Sequence, residues 1–143
     1  MMPGLVMQLG LRGAIEDICE QNTLTGKTTF HFSSFGNFDP LDKKKQINIY
    51  YIINELINNI IKHSSAKEAT VQLNAYDNEL NIIIEDDGIG FNVNEVLKTE
   101  SKDLQTVKSR VRYLHGTLNI DSQPGRGTSI IIDFPLNNSS LKA

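Results

Sequence analysis

The sequence predicts a two-layer α/β (α+β) sandwich, in which a mixed five-stranded sheet carries three main helices on one face. Three observations predict this fold: one long apolar segment without glycine or proline, five short β-prone segments, and turn residues that join two pairs of those segments. Helices are predicted at residues 10–21, 41–64, 94–98 and 104–115. Strands are predicted at residues 28–34, 69–76, 80–86, 117–122 and 129–134.

The first helix is predicted to be short and amphipathic, with Ile15, Ile18 and Cys19 on its apolar face. Cys19 is the only cysteine in the chain, so it cannot form an internal disulfide and fits a reducing compartment. We expect Cys19 to be a core residue rather than a redox group.

The long helix is predicted to be largely buried, because apolar residues cover most of its circumference. Four polar residues nevertheless fall within about 100° of one another around its axis. They are Glu55, Asn59, Lys62 and His63. Leaving such groups buried without partners costs about 1–3 kcal/mol each, which favours a stripe that lines a polar cleft. A solvated helix face, with Glu55 and Lys62 loosely paired, is the alternative.

This polar stripe suits a divalent metal and a polyphosphate. Mg²⁺ prefers oxygen ligands and keeps several waters, so the Asn59 carbonyl and phosphate oxygens can hold it while Glu55 orients a coordinated water. Lys62 and His63 would supply positive charge for the phosphates. A histidine near a helix end is often structural, so the alternative is that His63 has a structural function and does not contact the nucleotide.

A second candidate site follows the apolar run 82–84, at the end of a predicted strand. Asp86 can accept a hydrogen bond from an exocyclic amine, and Gly88 and Gly90 allow a tight turn that brings bare backbone close to a ligand. An acidic surface turn is the alternative, because short glycine patterns are common.

The third candidate element is the turn 123–129 between the last two predicted strands. Pro124 and Gly125 are first of all a hairpin signal. Thr128 follows them, and we expect its hydroxyl to lie beside Asp86, where it would complete a polar floor for a ring that carries an amine.

Three motifs carry a resemblance to a known family. In chain order they are Glu55-x-x-x-Asn59 followed by Lys62-His63, then Asp86-x-Gly88-x-Gly90-Phe91, then Pro124-Gly125-x-Gly127-Thr128. Together they resemble the N, G1 and last glycine boxes of the ATP-binding domain of two-component sensor histidine kinases. That domain belongs to the wider GHKL (HATPase_c) superfamily with the Bergerat fold, shared with gyrase, Hsp90, MutL and anti-sigma-factor kinases.

Within this family, the helix predicted at 104–115, which follows a lid at 92–103, resembles the corresponding helix of the subclass that partners LuxR/NarL-type response regulators. The pattern is Val107-Lys108-Ser109-Arg110-Val111-x-x-Leu114-x-Gly116. The resemblance covers residues 9–135, which is nearly the whole chain.

The resemblance implies a role for each matching residue. Asp86 is implied to bind the adenine amine, with Gly88 and Gly90 shaping the pocket and Gly127 and Thr128 completing the adenine side. Asn59 is implied as the protein ligand of Mg²⁺, and Lys62 and His63 as phosphate contacts. The glutamate that matches Glu55 is a general base for water in the ATPase members, whereas a kinase must spare ATP, so the catalytic role of Glu55 stays open.

One segment departs from the family pattern. Family members carry Gly-x-Gly-Leu before the helix that follows the lid, and this chain has Ser101-Lys102-Asp103-Leu104 there. Asp103 is a suitable helix N-cap, but its charge would repel a triphosphate, which Lys102 would offset in part. Either the lid at 92–103 works with a different sequence, or nucleotide binding is weakened as in a pseudokinase.

The resemblance implies a protein-histidine kinase that passes the γ-phosphoryl group of ATP to a histidine on a separate dimerisation domain. That histidine is commonly followed by Asp or Glu, whereas His31, His63 and His115 precede Phe, Ser and Gly. We therefore do not expect this chain to phosphorylate itself. The alternatives are an interaction module with a degenerate lid, and an anti-sigma-type serine kinase, which the hairpin 124–127 disfavours.

Composition limits the remaining possibilities. A chain of 143 residues with 39% hydrophobic residues predicts one domain over 1–143, with frayed ends at 1–8 and 137–143. The net charge of −3 gives no electrostatic footprint for nucleic acid. No segment is long enough to span a bilayer, so we expect a cytoplasmic module, part of a longer receptor that can itself be membrane-anchored.

Overall fold

The computed structural model describes residues 3–94 and 102–136. Within these residues the helices and strands follow one another in chain order. They are α1 (Pro3–Thr25), β1 (Thr29–Phe35), α2 (Lys43–Asn59), a π-helical turn (Ile60–Ser64), β2 (Glu68–Ala75), β3 (Glu79–Asp86), α3 (Lys102–Tyr113), β4 (Thr117–Ser122) and β5 (Thr128–Pro135).

The five strands form one mixed sheet in the order β1-β2-β3-β5-β4. The β1–β2 pair is parallel, and the other three pairs are antiparallel. This confirms the predicted five-stranded mixed sheet, and each strand lies within one residue of its predicted bounds. The predicted short helix at 94–98 lies mostly outside the described residues.

The sheet buries one face only, because apolar and polar residues alternate along its strands. The inward residues of its central strands are almost fully buried. They include Val71, Leu73, Leu80, Ile82 and Ile132. On the opposite face, Asn74 donates to Asn81 Oδ1 at 3.1 Å, and Asn81 donates to Asp133 Oδ1 at 2.8 Å. The helices therefore pack on the apolar face, as predicted.

Helix α1 is longer than predicted and is kinked at Gly10, whose φ of 75° and ψ of 173° are not helical. The kink deprives the Leu11 N–H of a helical partner, and it donates instead to Gln46 Oε1 at 3.0 Å. The Gln46 amide in turn donates to the Leu41 carbonyl at 2.8 Å. Residues 3–8, predicted to fray, are helical, and Val6 is fully buried.

Cys19 lies in the core, which confirms the structural interpretation of this residue. Burial raises the pKa of its thiol to about 12, and the nearby Glu16 charge acts in the same direction. A thiol with this pKa stays protonated near neutral pH and is a poor nucleophile.

The predicted helix 41–64 consists of two parts. Asp42 caps α2 by accepting the Lys45 N–H at 2.8 Å, and α2 continues to Asn59. The remaining residues, Ile60–Ser64, form a π-helical turn. Hydrogen bonds in a π turn span five residues, so side chains beyond Asn59 leave the helical positions that 100° per residue predicts.

Helices α2 and α3 pack antiparallel to each other. The first turns of α2 and the end of α3 line a cavity of about 300 Å³, with Lys44 and Asn48 on one side and Tyr113 on the other. Further along, the Arg110 guanidinium carbon lies 5.1 Å from the centre of the Tyr51 ring. Helix α3 begins at Lys102, so Asp103 is inside the helix and does not precede it as the predicted N-cap.

Candidate functional site

The sheet changes from apolar to polar in the last inward-facing row of β3, β5 and β4. On these strands the row before it is apolar and consists of Ile84, Ile130 and Ile120. The last row is polar there and consists of Asp86, Thr128 and Ser122, whereas β1 and β2 carry Phe30 and Ala69 in the same row. Asp86 and Thr128 are direct cross-strand partners on β3 and β5, so the structure brings these two predicted site residues together.

Asp86 is a partly buried hydrogen-bond acceptor. Burial raises the pKa of its carboxyl group above the ordinary value of 3.8, the Gly88 N–H opposes this shift, and the Asp87 charge adds to it. The Gly88 N–H donates to Asp86 Oδ1 at 2.8 Å. A carboxylate has about four acceptor positions, so this bond leaves capacity for a ligand amine.

The neighbouring Asp87 has a structural function that the sequence did not separate from that of Asp86. Its Oδ1 accepts the N–H groups of Lys67 at 2.8 Å and Glu68 at 3.0 Å. These bonds, the one from Glu68 first, lower the pKa of Asp87 below 3.8. Asp87 therefore fastens the loop after β3 to the start of β2.

The two pKa shifts have opposite consequences for stability. Because the pKa of Asp86 is raised in the folded state, its contribution to stability falls as the pH rises from about 3.8 through the raised value. Because the pKa of Asp87 is lowered, its contribution is present above about pH 3.8 and is lost as the pH falls through the lowered value.

Two predicted site glycines allow protein segments to approach each other. A Cβ at Gly88 would lie 2.2 Å from the Ser64 carbonyl oxygen, and one at Gly90 would lie 2.1 Å from that of Gln123. The Ile89 N–H also donates to the Ser64 carbonyl at 2.7 Å. The Gly88 N–H is bound to Asp86, so it is not one of the backbone groups that can meet a ligand at this turn.

Gly127 has the same function in the hairpin between β4 and β5. A Cβ there would lie 2.2 Å from the Asp86 carbonyl oxygen. The hairpin is held to the loop after β3 by a second contact, in which the Gly125 N–H donates to the Ile89 carbonyl at 2.6 Å. The π turn, the loop 86–91 and the hairpin are thus packed into one junction.

Ser122 is a buried residue of this junction that the sequence analysis did not single out. It is 8% exposed, and its Oγ accepts the Phe91 N–H at 2.9 Å and donates to the Gly127 carbonyl at 3.0 Å. It also lies 2.8 Å from Thr128 Oγ1. The sequence signal that could have identified it is a polar residue at a position of β4 where the alternation of the strand points into the core.

Asn59, the last residue of α2, carries an unsatisfied acceptor. Its Oδ1 is buried and has no hydrogen-bond partner among the described residues. Leaving such an oxygen unpaired costs about 1–3 kcal/mol, which a bound cation would relieve. An amide oxygen is a ligand that Mg²⁺ accepts, so the residue present here fits the predicted metal.

The other predicted phosphate-side residues lie on the same segment or on α3. Glu55 is one turn before Asn59 and is partly exposed, whereas Lys62 and His63 are exposed residues of the π turn. The end of this turn contacts Gly88, so the segments that carry Asn59 and Asp86 are joined directly. Lys102 is the first residue of α3, and its side chain lies outside the described part of the chain.

Comparison with known proteins identifies the family. A family model described as histidine kinase-, DNA gyrase B- and HSP90-like ATPase matches residues 44–138, more than half of the chain. The chain belongs to this ATPase family. The family resemblance inferred from the three motifs is therefore confirmed, and the family name implies the use of ATP.

Relatives of the chain within this ATPase family are sensor kinases. The sensor histidine kinase ComP of Bacillus subtilis is 34% identical over 137 residues, which cover 94% of this chain and 18% of ComP. The histidine-protein kinase/phosphatase DegS of the same organism is 33% identical over 116 residues, covering 78% of this chain and 30% of DegS. The chain thus spans less than a third of the length of these relatives.

Solved structures confirm the ATPase-family fold. The blue-light activated histidine kinase of Erythrobacter litoralis matches with a TM-score of 0.75 at 22% identity, covering 96% of this chain and 47% of that one. The Acinetobacter baumannii histidine kinase AdeS matches with a TM-score of 0.66 at 17% identity, covering 95% of this chain and 74% of AdeS. Within residues 3–94 and 102–136, no helix has the length and apolar character that crossing a membrane requires.

Proposed function

We propose that this chain is the ATP-binding catalytic domain of a sensor histidine kinase, which holds Mg·ATP and presents its γ-phosphate to a histidine on a separate dimerisation domain. One observation carries the proposal. The partly buried Asp86 carboxylate lies at the end of β3, directly before a loop that packs against the segment carrying the unpartnered Asn59 oxygen. Two such acceptors suit the two ends of a metal-bound nucleotide, an amine at one end and a cation at the other.

At the base end, Asp86 accepts a hydrogen bond from the adenine amine, and Thr128 lies next to it on β5. The pocket is shaped indirectly by the glycines Gly88, Gly90 and Gly127, which allow neighbouring segments to pack closely. At each of them a carbonyl oxygen of another segment lies within about 2.2 Å of the position that a Cβ would occupy. They therefore fix the positions of Asp86 and Thr128.

At the phosphate end, Asn59 Oδ1 would hold Mg²⁺, which would supply the charge that neutralises the phosphate oxygens. Lys62 and His63 follow as exposed residues of the π turn, and in this proposal they contact the phosphates. Glu55 lies one turn before Asn59, a position from which a carboxylate can orient a water bound to the metal.

In this proposal the N-terminus of α3 serves the phosphates in place of the two family glycines at 101 and 103. Tyr51 of α2 contacts Arg110 of α3, and the two helices run antiparallel. From this contact α2 runs eight residues on to Asn59 and α3 runs eight residues back to Lys102, so we expect these two helix ends to face the same phosphates. The N-terminus of α3, whose dipole favours anions, would then point to the phosphates.

Catalysis in this proposal consists of positioning and charge stabilisation. The phosphoacceptor histidine belongs to the dimerisation domain of the same kinase, and a LuxR/NarL-type response regulator then takes the phosphoryl group from the full-length protein. The domain would work on the cytoplasmic side, including when its parent protein is anchored in a membrane.

Nucleotide titration and phosphotransfer test the proposal. We expect saturable binding of ADP to the chain, lost in Asp86→Ala and kept in Asp121→Ala, a control on the edge strand β4 with an exposed side chain. With radioactive Mg·ATP the chain alone should retain no label, whereas an added phosphoacceptor-histidine domain should gain acid-labile label.

Two results would contradict the proposal. No saturable binding at millimolar ADP would indicate an interaction module, and Ser101→Gly with Asp103→Gly would then show whether the lid sequence is responsible. Acid-stable label on a serine of a protein substrate would indicate the anti-sigma type of kinase instead.

A further inference from the structure

The contact between the Ser122 and Thr128 hydroxyl groups bears on how the site distinguishes bases. Ser122 Oγ has three partners: the Phe91 N–H at 2.9 Å, the Gly127 carbonyl at 3.0 Å and Thr128 Oγ1 at 2.8 Å. Ser122 and Thr128 are direct cross-strand partners on β4 and β5, and Thr128 is also the partner of Asp86 on β3.

Hydrogen counting assigns the direction of these bonds. A serine hydroxyl has one hydrogen to donate and two lone pairs that accept. The Phe91 N–H can only donate and the Gly127 carbonyl can only accept, so Ser122 accepts from Phe91 and gives its hydrogen to Gly127. Its remaining lone pair then accepts the hydrogen of the Thr128 hydroxyl.

The opposite direction satisfies fewer groups. If Ser122 gave its hydrogen to Thr128, the carbonyl of the buried Gly127 would lose this donor. The cost of an unsatisfied buried acceptor favours the arrangement that uses all three contacts. In that arrangement the Thr128 hydroxyl offers only lone pairs to the pocket.

We propose that Ser122 is a positioning residue that turns the Thr128 hydrogen away from the ligand, so that Asp86 and Thr128 together present only acceptors to the base. Two adjacent acceptors match the two hydrogens of a 6-amino purine and oppose the oxygen of a 6-oxo purine. This inference rests on the proposed function and extends it, since it assigns base selection to a residue that does not touch the nucleotide.

The test compares the Kd of ADP with that of IDP, which carries an oxygen in place of the amine. The wild-type chain should bind ADP more tightly. In Ser122→Ala the Thr128 hydroxyl is free to rotate and donate to the 6-oxo group, so the ratio of Kd for IDP to Kd for ADP should fall about fivefold to tenfold, the size of one hydrogen bond. General loosening of the junction would raise both Kd values equally and leave the ratio unchanged.

Ser129→Ala is the matched control. Ser129 is next to Thr128 but on the outer face, where it donates to Glu85 Oε2 at 3.2 Å, so its removal should leave the ratio as in the wild type. Thr128→Val is the second variant, for use also if Ser122→Ala fails to fold. Thr128→Val removes the hydroxyl that accepts a hydrogen bond from the amine of ADP and whose lone pair faces the oxygen of IDP. The ratio of Kd for IDP to Kd for ADP should therefore fall again.

An unchanged or increased ratio in either Ser122→Ala or Thr128→Val would overturn the inference, because Thr128 would then not act as an acceptor positioned by Ser122. Binding of ADP by the wild type would leave the proposed function intact in that case. Absence of ADP binding by the wild type would instead remove the proposed function itself.

Discussion

The hairpin between β4 and β5 offers a matched pair of substitutions at the candidate site. Gly125 has a φ of 83° and Gly127 a φ of 77°, so alanine is strained at both positions by about 1–2 kcal/mol. The surroundings differ. A Cβ at Gly125 meets nothing within 4 Å, whereas one at Gly127 would lie 2.2 Å from the Asp86 carbonyl oxygen.

The difference between the two variants isolates the close approach of Gly127 to Asp86. Ordinary contact begins at 3.4 Å, so Gly127→Ala forces the hairpin and the end of β3 apart by about 1.2 Å. That movement would break the Ser122 bond to the Gly127 carbonyl, worth about 1 kcal/mol, and add roughly 1–3 kcal/mol of overpacking. We expect Gly127→Ala to lower the free energy of unfolding by about 3–6 kcal/mol, against about 1–2 kcal/mol for Gly125→Ala.

Urea unfolding followed by far-ultraviolet circular dichroism measures both values, and the chain contains no tryptophan for a fluorescence readout. ADP titration of the folded variants gives the second measurement. Gly127→Ala should bind ADP more weakly than Gly125→Ala, because Asp86 is displaced only in the former. Equal losses of stability, within about 0.5 kcal/mol, together with equal affinities would refute the packing of Gly127 against Asp86.

Three further predictions concern charge, burial and reactivity. Asp86→Asn should raise the free energy of unfolding of the ligand-free chain at pH 7, and Asp87→Asn should lower it. Urea titrations of the wild type and both variants at several pH values should show that the contributions of the two carboxyl groups change in opposite directions with pH. Equal effects would contradict the two functions assigned to these acids. Gln46→Ala leaves two backbone groups unsatisfied and should lower the free energy of unfolding by about 1–3 kcal/mol. Asn48→Ala removes only an exposed hydrogen bond and should lower it by less than about 0.5 kcal/mol. Similar losses in the two variants would contradict the stabilisation of the α1 kink by Gln46. Cys19 should react with iodoacetamide at pH 8 only after unfolding, and rapid alkylation of the folded chain would contradict its burial.

The sheet could be predicted from the sequence because its information is local. Residues 129–134 are rich in β-branched residues, and the turn before them contains proline and glycine, so β propensity and turn chemistry agreed. The same reasoning identified Asp86 and Thr128 as residues at strand ends, and the cross-strand register confirms that they are neighbours.

The features that were missed depend on contacts distant in sequence. The helix kink at Gly10 is satisfied by Gln46, and no pattern near Gly10 indicates this partner. The π turn ends where Ser64 meets Gly88, so its wider geometry is tied to the packing of a later loop. The positions of Lys62 and His63 around the axis were predicted from the spacing of a regular α-helix, and the π turn changes them.

The adjacent acids show a further limit. Asp86 and Asp87 are equivalent in a reading of the sequence, and only the register of β2 shows that Asp87 meets the backbone of Lys67 and Glu68. Ser122 was missed for a similar reason, because its donor Phe91 lies on a loop that is distant in sequence, although Gly127 and Thr128 are in its own hairpin.

Asp86 and Asn59 are proposed to bind two ends of one nucleotide, which calorimetric titration of ADP with and without Mg²⁺ can test in a single experiment. We expect tighter binding with Mg²⁺ in the wild type, loss of that difference in Asn59→Ala, and loss of binding in Asp86→Ala under both conditions. Equal affinity with and without Mg²⁺ in the wild type, or binding of ADP by Asp86→Ala as in the wild type, would contradict it.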